Sequence, residues 1–537
     1  MKTQYCLGVL LYMILMPLKG QNYDPYTTAF PTNINDTLKA NAVKALFHAT
    51  GDMFFDMEGD AVFRVSPNDS LNTLFAGHLW MGAIDNSGTV RTAAQTYRQS
   101  DNNYQPGPVS NLYDSTYNQR YHRVWKISKS TIDQHIANWQ NPNYVVPTSI
   151  ADWPAHGDSN RQEAYYLAPF MDINGSGIYE PTLGDYPLIR GDQALYMIFN
   201  DDRFSAFMPL EIETHLMAYG FASSSSSALN ESIFLHYKVY NRSSEVYQDA
   251  WIGYWSDLEL GDALDDDMGT DSALHSLYVY NRDNMDERFG SNPPAQGISM
   301  LNLPLSATMS YDLDYNNDSI GGPLHGTDYY QLLQGKWKDG QSLTQGGTGR
   351  GGNQATTYFL NGDPVTNTGW LPNNGSNTFF ANDHKDTKAL MSHGPFVFGP
   401  GESICMDLGL VYARDPNQDH LANVSLLRQR TSEIRNHYIA QNENCLNSPL
   451  NRPALSTLTE DQVLVFPNPT RESVQLRWGN DFDQIRIFDL QGRLVYQQTL
   501  ENKNYLQLSI TDWVPGFYTI FFEGNRIQVQ KRFVKTN

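Results

Sequence analysis

Ser232-Ile-Phe-Leu-His-Tyr-Lys-Val-Tyr-Asn241 is the stretch that decides the fold class. Ile233, Leu235, Tyr237 and Val239 fall on one face of it, and Phe234, His236, Lys238 and Tyr240 on the other. A period of two in a run rich in aromatic and β-branched side chains is a strand, not a helix. Residues 208–221 before it and 247–257 after it read the same way, so the three predict an antiparallel sheet. The serines Ser223–Ser227 make a flexible connection within that sheet rather than a domain linker. His215 and His236 sit inside these strands, where a hydrogen-bonded structural imidazole is expected before a metal ligand.

Composition points the same way. Aromatic residues are 12% of the chain and charged residues only 18%, which excludes a disordered chain and suits aromatic-filled sheet cores. At 537 residues the protein exceeds one ordinary core, and the length suggests roughly three domains. The formal net charge is -21, which argues against nucleic acid or an anionic membrane as partner and favours divalent cations.

Carboxylates concentrate just after the founding strands. Asp257, Glu259, Asp262, Asp265, Asp266, Asp267 and Asp271 lie within fifteen residues, with no Lys or Arg among them. Crowded carboxylates repel unless solvated or neutralised by a cation, and hard oxygen donors at this density suit Ca²⁺ rather than zinc. A solvated acidic loop is the plainer alternative. A second acidic loop is Asp172-Ile-Asn-Gly-Ser-Gly-Ile-Tyr-Glu-Pro-Thr-Leu-Gly-Asp185. Oxygen-bearing residues at alternate positions followed by glycine are how a short loop wraps Ca²⁺. Asp172, Asn174 and Ser176 would give side-chain oxygens and Ile178 its carbonyl, with Gly177 making the turn. The twelfth position is Leu183, not the closing Glu of an EF-hand, so Asp185 would have to close the shell. An Asx-rich turn without metal is the alternative. Arg190-Gly-Asp192 reads as a tight turn.

The flanks are less regular. Residues 36–51 carry apolar Leu38, Val43, Leu46 and Phe47 at a spacing that predicts a short helix. Runs at 61–65, 74–83 and 90–97 predict strands, the last two a hairpin through Asn86-Ser-Gly88. Residues 101–111 read as a loop and 122–128 as a strand. A helix over 130–139 follows, capped by Ser130. Residues 403–413 read as a strand and 421–441 as a helix that packs on the sheet. Lys2, the apolar run 6–16 and Pro17-Leu-Lys-Gly20 fit a secretory signal peptide, whose removal takes Lys2 and Lys19 with it. No other stretch is long and apolar enough to span a bilayer. Of the remaining cysteines, Cys405 and Cys445 either pair in an oxidising compartment or stay as buried thiols.

The last residues form a separate block. Short alternating runs at 473–478, 484–489, 493–499, 505–509, 517–523 and 527–534 predict a small antiparallel β-sandwich. Phe466-Pro-Asn-Pro-Thr470, Ile487-Phe-Asp-Leu-Gln-Gly-Arg-Leu-Val495, Val514-Pro-Gly-Phe-Tyr518 and Lys531-Arg-Phe-Val-Lys535 carry a further signal. In that order and spacing they resemble the type A sorting domain of type IX secretion. The resemblance implies recognition by the type IX machinery, passage through the outer membrane, and attachment to the cell surface or release. Phe75-Ala-Gly-His-Leu-Trp80, Ala94-Gln-Thr-Tyr-Arg98 and Ser392-His-Gly-Pro-Phe396 in the body resemble a group of large, poorly characterised proteins that carry the same tail. That resemblance implies a secreted surface protein and names no reaction.

The expected organisation is therefore a signal peptide (1–20), a β-rich region (21–150), a central β-sandwich region with acidic loops (151–445), a linker (446–460) and the sorting domain (461–537). The fold class is mainly β: antiparallel sandwiches with a few short helices, ending in a small Ig-like sandwich. No His-Glu-x-x-His motif and no Gly-x-Ser-x-Gly elbow is present, and Gln345–Gly352 lacks the Gly-Lys-Ser/Thr of a phosphate loop. The leading expectation is a non-catalytic, calcium-stabilised surface protein, adhesive or structural, with a surface glycan or protein as partner. A secreted hydrolase acting on polysaccharide and a calcium-dependent glycan-binding protein are the alternatives.

Overall fold

The computed structural model describes residues 34–56, 58–65, 70–97, 104–203, 207–223, 225–311, 319–372, 387–441, 463–478, 482–489, 493–500, 505–524 and 527–536. The signal-peptide expectation, the linker 446–460 and Cys445 lie outside them. The protein is mainly β, and its large sheets are antiparallel throughout.

The founding strand, Ser232–Asn241, sits in a nine-stranded sheet. Ile212–Gly220 flanks it on one side and Ser403–Ala413 on the other. Beyond the first lie Gln193–Asn200, Gln105–Pro106 and Trp125–Ser128; beyond the second lie Ala295–Met300, Ser276–Asn281 and Asp266–Asp271. The two faces divide as the alternation predicts. Ile233, Leu235, Tyr237 and Val239 join the main core, while Phe234 joins a second core on the opposite face. A sheet covered on both sides has little solvent-facing surface, which is why Ile212–Gly220 is buried along its whole length.

A five-stranded sheet closes the main core from the other side: Ala307–Tyr311, Thr387–Phe398, Tyr247–Leu258, Ala76–Ile84 and Val90–Ala93, in that order. Trp80 and Trp255 from neighbouring strands stack at 6.0 Å between ring centroids, fully buried. The hairpin across Asn86-Ser-Gly88 forms as expected, with Ile84 opposite Val90. Strands on either side of residue 150 share these sheets: Trp125–Ser128 pairs with Gln193–Asn200, and Ala76–Ile84 with Tyr247–Leu258. The 22-residue helix His420–Gln441 lies on the second core, as the spacing predicts, with Leu427 against Gly297 and Ile434 against Gly409.

Three expectations need correction. Residues 36–51 are not helical: Asn35–Leu38 and Val43–His48 are paired strands of a three-stranded sheet with Phe63–Val65. Asn41 makes the turn between them, its Oδ1 accepting from Val43 N and its Nδ2 donating to Phe221, Leu229 and Ser232 carbonyls. Those long-range bonds hold a reversal that local spacing cannot register. The next helix runs Lys129–Asn138 and is capped by Ser128, whose Oγ accepts from Thr131 N, rather than by Ser130. The loop at 101–111 contains the short strand Gln105–Pro106 on the sheet edge.

The tail is a small β unit with its own core. Leu464–Phe466, Ser473–Arg477 and Tyr505–Ser509 form one sheet; Leu494–Thr499, Gln484–Phe488, Gly516–Gly524 and Ile527–Lys535 form the other. Val474, Ile485, Ile487, Ile520, Phe522 and Phe533 fill the space between them.

Candidate functional site

The seven clustered carboxylates do not act as one group. Asp257 is buried on the five-stranded sheet, ion-paired with the equally buried Lys388 and accepting from Tyr97 OH at 2.5 Å. Asp267 pairs with Arg282 at 3.4 Å and Asp271 with Arg428 at 3.4 Å. Three cations the local sequence did not reveal therefore neutralise three of the seven.

Among the described residues, Asp265 and Asp266 have no such cation. Asp266 opens the edge strand Asp266–Asp271 and lies directly opposite Asn281 on the neighbouring strand. Its Oδ2 accepts from Leu260 N at 2.8 Å, but its Oδ1 is buried without a hydrogen-bond partner. The Oδ1 atoms of Asp265 and Asn281 are likewise buried and unpartnered. Asp286 completes the neighbourhood, its Oδ2 accepting from Asp262 N at 3.0 Å. Gly261, at φ +77°, lets the chain pass this carboxylate: a Cβ there would stand 2.6 Å from Asp286 Oδ1. Burial first, then the charges of Asp286 and Asp262, push the Asp265 carboxyl up to about 6. Burial, reinforced by Asp265 and Asp286, raises Asp266 well above the usual carboxylate range despite the Leu260 amide. Buried acceptors with no donor are costly unless a proton or a cation joins them. Among the described residues no three Asp, Glu, His or Cys side chains converge as a metal group. A cation here would thus rest on two carboxylates, the Asn281 amide oxygen and backbone carbonyls or water.

The loop 172–185 is satisfied from within. Asp172 Oδ1 accepts from Gly175 N at 2.7 Å and Oδ2 from Gly177 N at 2.7 Å. Asp185, fully buried, accepts from Ile173 N at 2.8 Å and Glu180 N at 2.7 Å. Asn174 Oδ1 accepts from Ser176 N, while Ser176 Oγ donates to Glu180 Oε2 at 3.0 Å and lies 3.2 Å from the Ile178 carbonyl. The five expected residues do share one loop, joined by Glu180, and its oxygens are bound to its own N–H and O–H groups.

A third arrangement was not singled out in the sequence. On the second-core face of the nine-stranded sheet lies a recess of about 70 Å³, bounded by Tyr166, Phe170, Tyr196, His236, Lys238 and Tyr240. His236 stands opposite Asp407 on the neighbouring strand, and its Nδ1 meets Asp407 Oδ1 at 2.5 Å. Asp407 Oδ2 accepts from Tyr438 OH at 2.6 Å, and Arg190 lies 3.3 Å from Oδ1. Burial, the largest influence, and Arg190 together lower the His236 pKa against the pull of Asp407. Burial opposes the Asp407 charge, yet His236, Arg190 and Tyr438 hold that carboxyl below its ordinary value. The imidazole is therefore neutral near pH 7 with its proton on Nδ1, leaving Nε2 as an acceptor open to the recess. His215, also on the wall, is fully engaged by Tyr196 OH at 2.8 Å and Glu213 at 3.0 Å. Both histidines are thus hydrogen-bonded, as expected inside strands. Only the pairing of residues 171 positions apart could have exposed the His236–Asp407 dyad.

The tail reaches this region. Phe488 packs on the Tyr166 ring at 5.5 Å, and the Arg486 guanidinium lies over that ring at 4.9 Å. Residues 464–536 match the family described as the secretion system C-terminal sorting domain. The tail is a type IX sorting domain. It directs the protein to the cell surface or the extracellular space and is recognised by the type IX machinery. Among the described residues no helix is long and apolar enough to cross a membrane. Cys405 is disulfide-bonded, in keeping with an oxidising destination. No curated protein matches the chain. Among solved structures, a polysaccharide lyase is similar at 8% identity and a TM-score of 0.21 over 70% of this chain. The chain spans 37% of that structure's length, and a likeness so slight carries no argument about fold or activity.

Proposed function

We propose that the sorting domain delivers a non-catalytic, adhesive surface protein whose body is stabilised by a bound calcium ion. The observation that supports the cation is the trio of buried, unpartnered oxygens on Asp265, Asp266 and Asn281. Two carboxylates that resist ionisation in isolation become favourable ligands once a divalent charge sits between them. This reading assigns the ion to the 260–286 region rather than to loop 172–185, whose oxygens already have donors. Adhesion also needs an exposed surface for a glycan or protein partner, and the aromatic recess supports that part.

The test is the thermal midpoint of the purified full chain in EGTA and in millimolar Ca²⁺, with Mg²⁺ as control. A calcium-specific rise supports the stabilising role; identical midpoints refute it. Adhesion of bacteria carrying or lacking the protein to glycan-coated and protein-coated surfaces tests the second half. Equal attachment by both strains refutes it.

A further inference from the structure

We infer that the recess between Tyr166 and Tyr240 binds one carboxylate-bearing sugar unit, a uronic acid type of residue, at the edge of an acidic glycan. The inference rests on the adhesive reading and names its ligand; it is independent of the calcium site.

Three kinds of group face the recess, and each selects one feature of a ligand. Lys238 provides the charge. It stands opposite His215 in the register, its ammonium lies over Tyr240 at 5.3 Å, and among the described residues no carboxylate pairs with it. Of the other cations near this face, Arg242 is matched to Glu213 at 2.6 Å and Arg190 to Asp407, while Arg486 lies over the Tyr166 ring at 4.9 Å. Net positive charge therefore remains on the recess at Lys238, and an anion is what it takes. His236 provides an acceptor: with Nδ1 committed to Asp407, Nε2 takes a hydrogen bond from a hydroxyl and repels a second carboxylate. Lys238 and His236 alternate on one strand, so their Cα atoms are about 6.6 Å apart, the scale of a single sugar ring. The rings of Tyr166, Phe170, Tyr196 and Tyr240 supply the apolar walls that the C–H face of a pyranose packs against.

Size narrows the class further. A recess of about 70 Å³ admits one edge of a ring and not a chain threaded through it. A simple anion such as acetate or phosphate would meet Lys238 but leave His236 Nε2 and the aromatic walls unused. An acidic peptide would bring carboxylates without the hydroxyl that His236 requires.

The full chain is titrated calorimetrically with galacturonate, galactose, inorganic phosphate and polyglutamate, at fixed calcium. Galacturonate is expected to bind at least about tenfold more tightly than galactose or phosphate. Lys238→Met is expected to lose about tenfold in affinity with its thermal midpoint unchanged, and Lys238→Arg to retain most of it. Binding should weaken as His236 becomes protonated in acid, since Nε2 then ceases to accept; His215, Lys238, Asp407 and Arg190 are the other titratable or charged groups facing that imidazole. Absence of galacturonate binding, equal binding of galactose, equal binding of polyglutamate, or an unaltered Lys238→Met would each overturn the inference. If galacturonate fails while the strain lacking the protein still adheres less well, the ligand class is wrong and the adhesive reading stands.

Discussion

Replacing Asp265 by Asn should stabilise the metal-free protein and abolish its response to calcium. The Asp265 pKa is raised from 3.8 to about 6, chiefly by burial and then by Asp286 and Asp262. Because the folded-state value lies above the unfolded one, the associated stability is fully present below about pH 4. It is lost as pH rises through about 6, so at pH 7.5 the ionised group costs the apo-protein its full share. Two units correspond to about 3 kcal/mol, and because the side chain is only partly buried, solvent screening brings that to about 1–1.5 kcal/mol. For a body of roughly 400 residues the unfolding entropy is about 0.8 kcal/mol/K, so Asp265→Asn in EGTA should raise the midpoint by about 1–2 °C. Calcium at one hundred times its dissociation constant adds about 2.7 kcal/mol, or about 3 °C, to the wild type. The variant, having lost one of two carboxylate ligands, should show almost none of that increment. The assay is a calorimetric scan at pH 5 and pH 7.5, with and without calcium. The wild-type calcium increment should grow with pH, since ionised ligands bind better. A variant that keeps the full increment, or that is destabilised in EGTA at pH 7.5, would refute the reasoning.

Three further outcomes are expected. Lys388→Met, which strands the buried Asp257 charge, should cost about 3–5 kcal/mol in denaturant titration, and adding Asp257→Leu should recover most of that; a double variant as unstable as the single one would contradict it. Trp255→Ala should cost about 3–5 kcal/mol, because it removes the stacking partner of Trp80 and the Nε1 bond to Tyr311 OH at 2.7 Å; a loss under 1 kcal/mol would show that the core collapses around the gap. Deleting residues 464–536 should abolish appearance at the cell surface, read by surface labelling of intact cells, while the separate core of the body keeps its cooperative unfolding. Normal surface display of the truncated protein would count against a sorting role.

Legibility in the sequence followed the range of the interactions. Strand Ser232–Asn241 was readable because each face of it goes to a different core, so the alternation is in the residues themselves. Residues 36–51 misled because the turn is made by Asn41 bonding to carbonyls about 180–190 positions away, while the apolar spacing on either side fits a helix equally well. The acidic run was visible as a run, yet Lys388, Arg282 and Arg428 sort it into pairs and remnants. Asn281 and Asp286 escaped notice because one amide and one carboxylate, 10 and 15 residues downstream of the run, have no local pattern.

By itself the sequence determined the β class, the binary faces of the central strands and the sorting domain, with the destination that follows from it. Each of these rests on contiguous residues: an alternation of two, or motifs within a block of about seventy-five. Only the tertiary structure decided which carboxylates are neutralised, which buried oxygens lack donors, and that His236, held by Asp407, meets Lys238 at one recess. Those facts depend on register between strands far apart in the chain, and a one-residue slip would turn every one of those side chains to the opposite face.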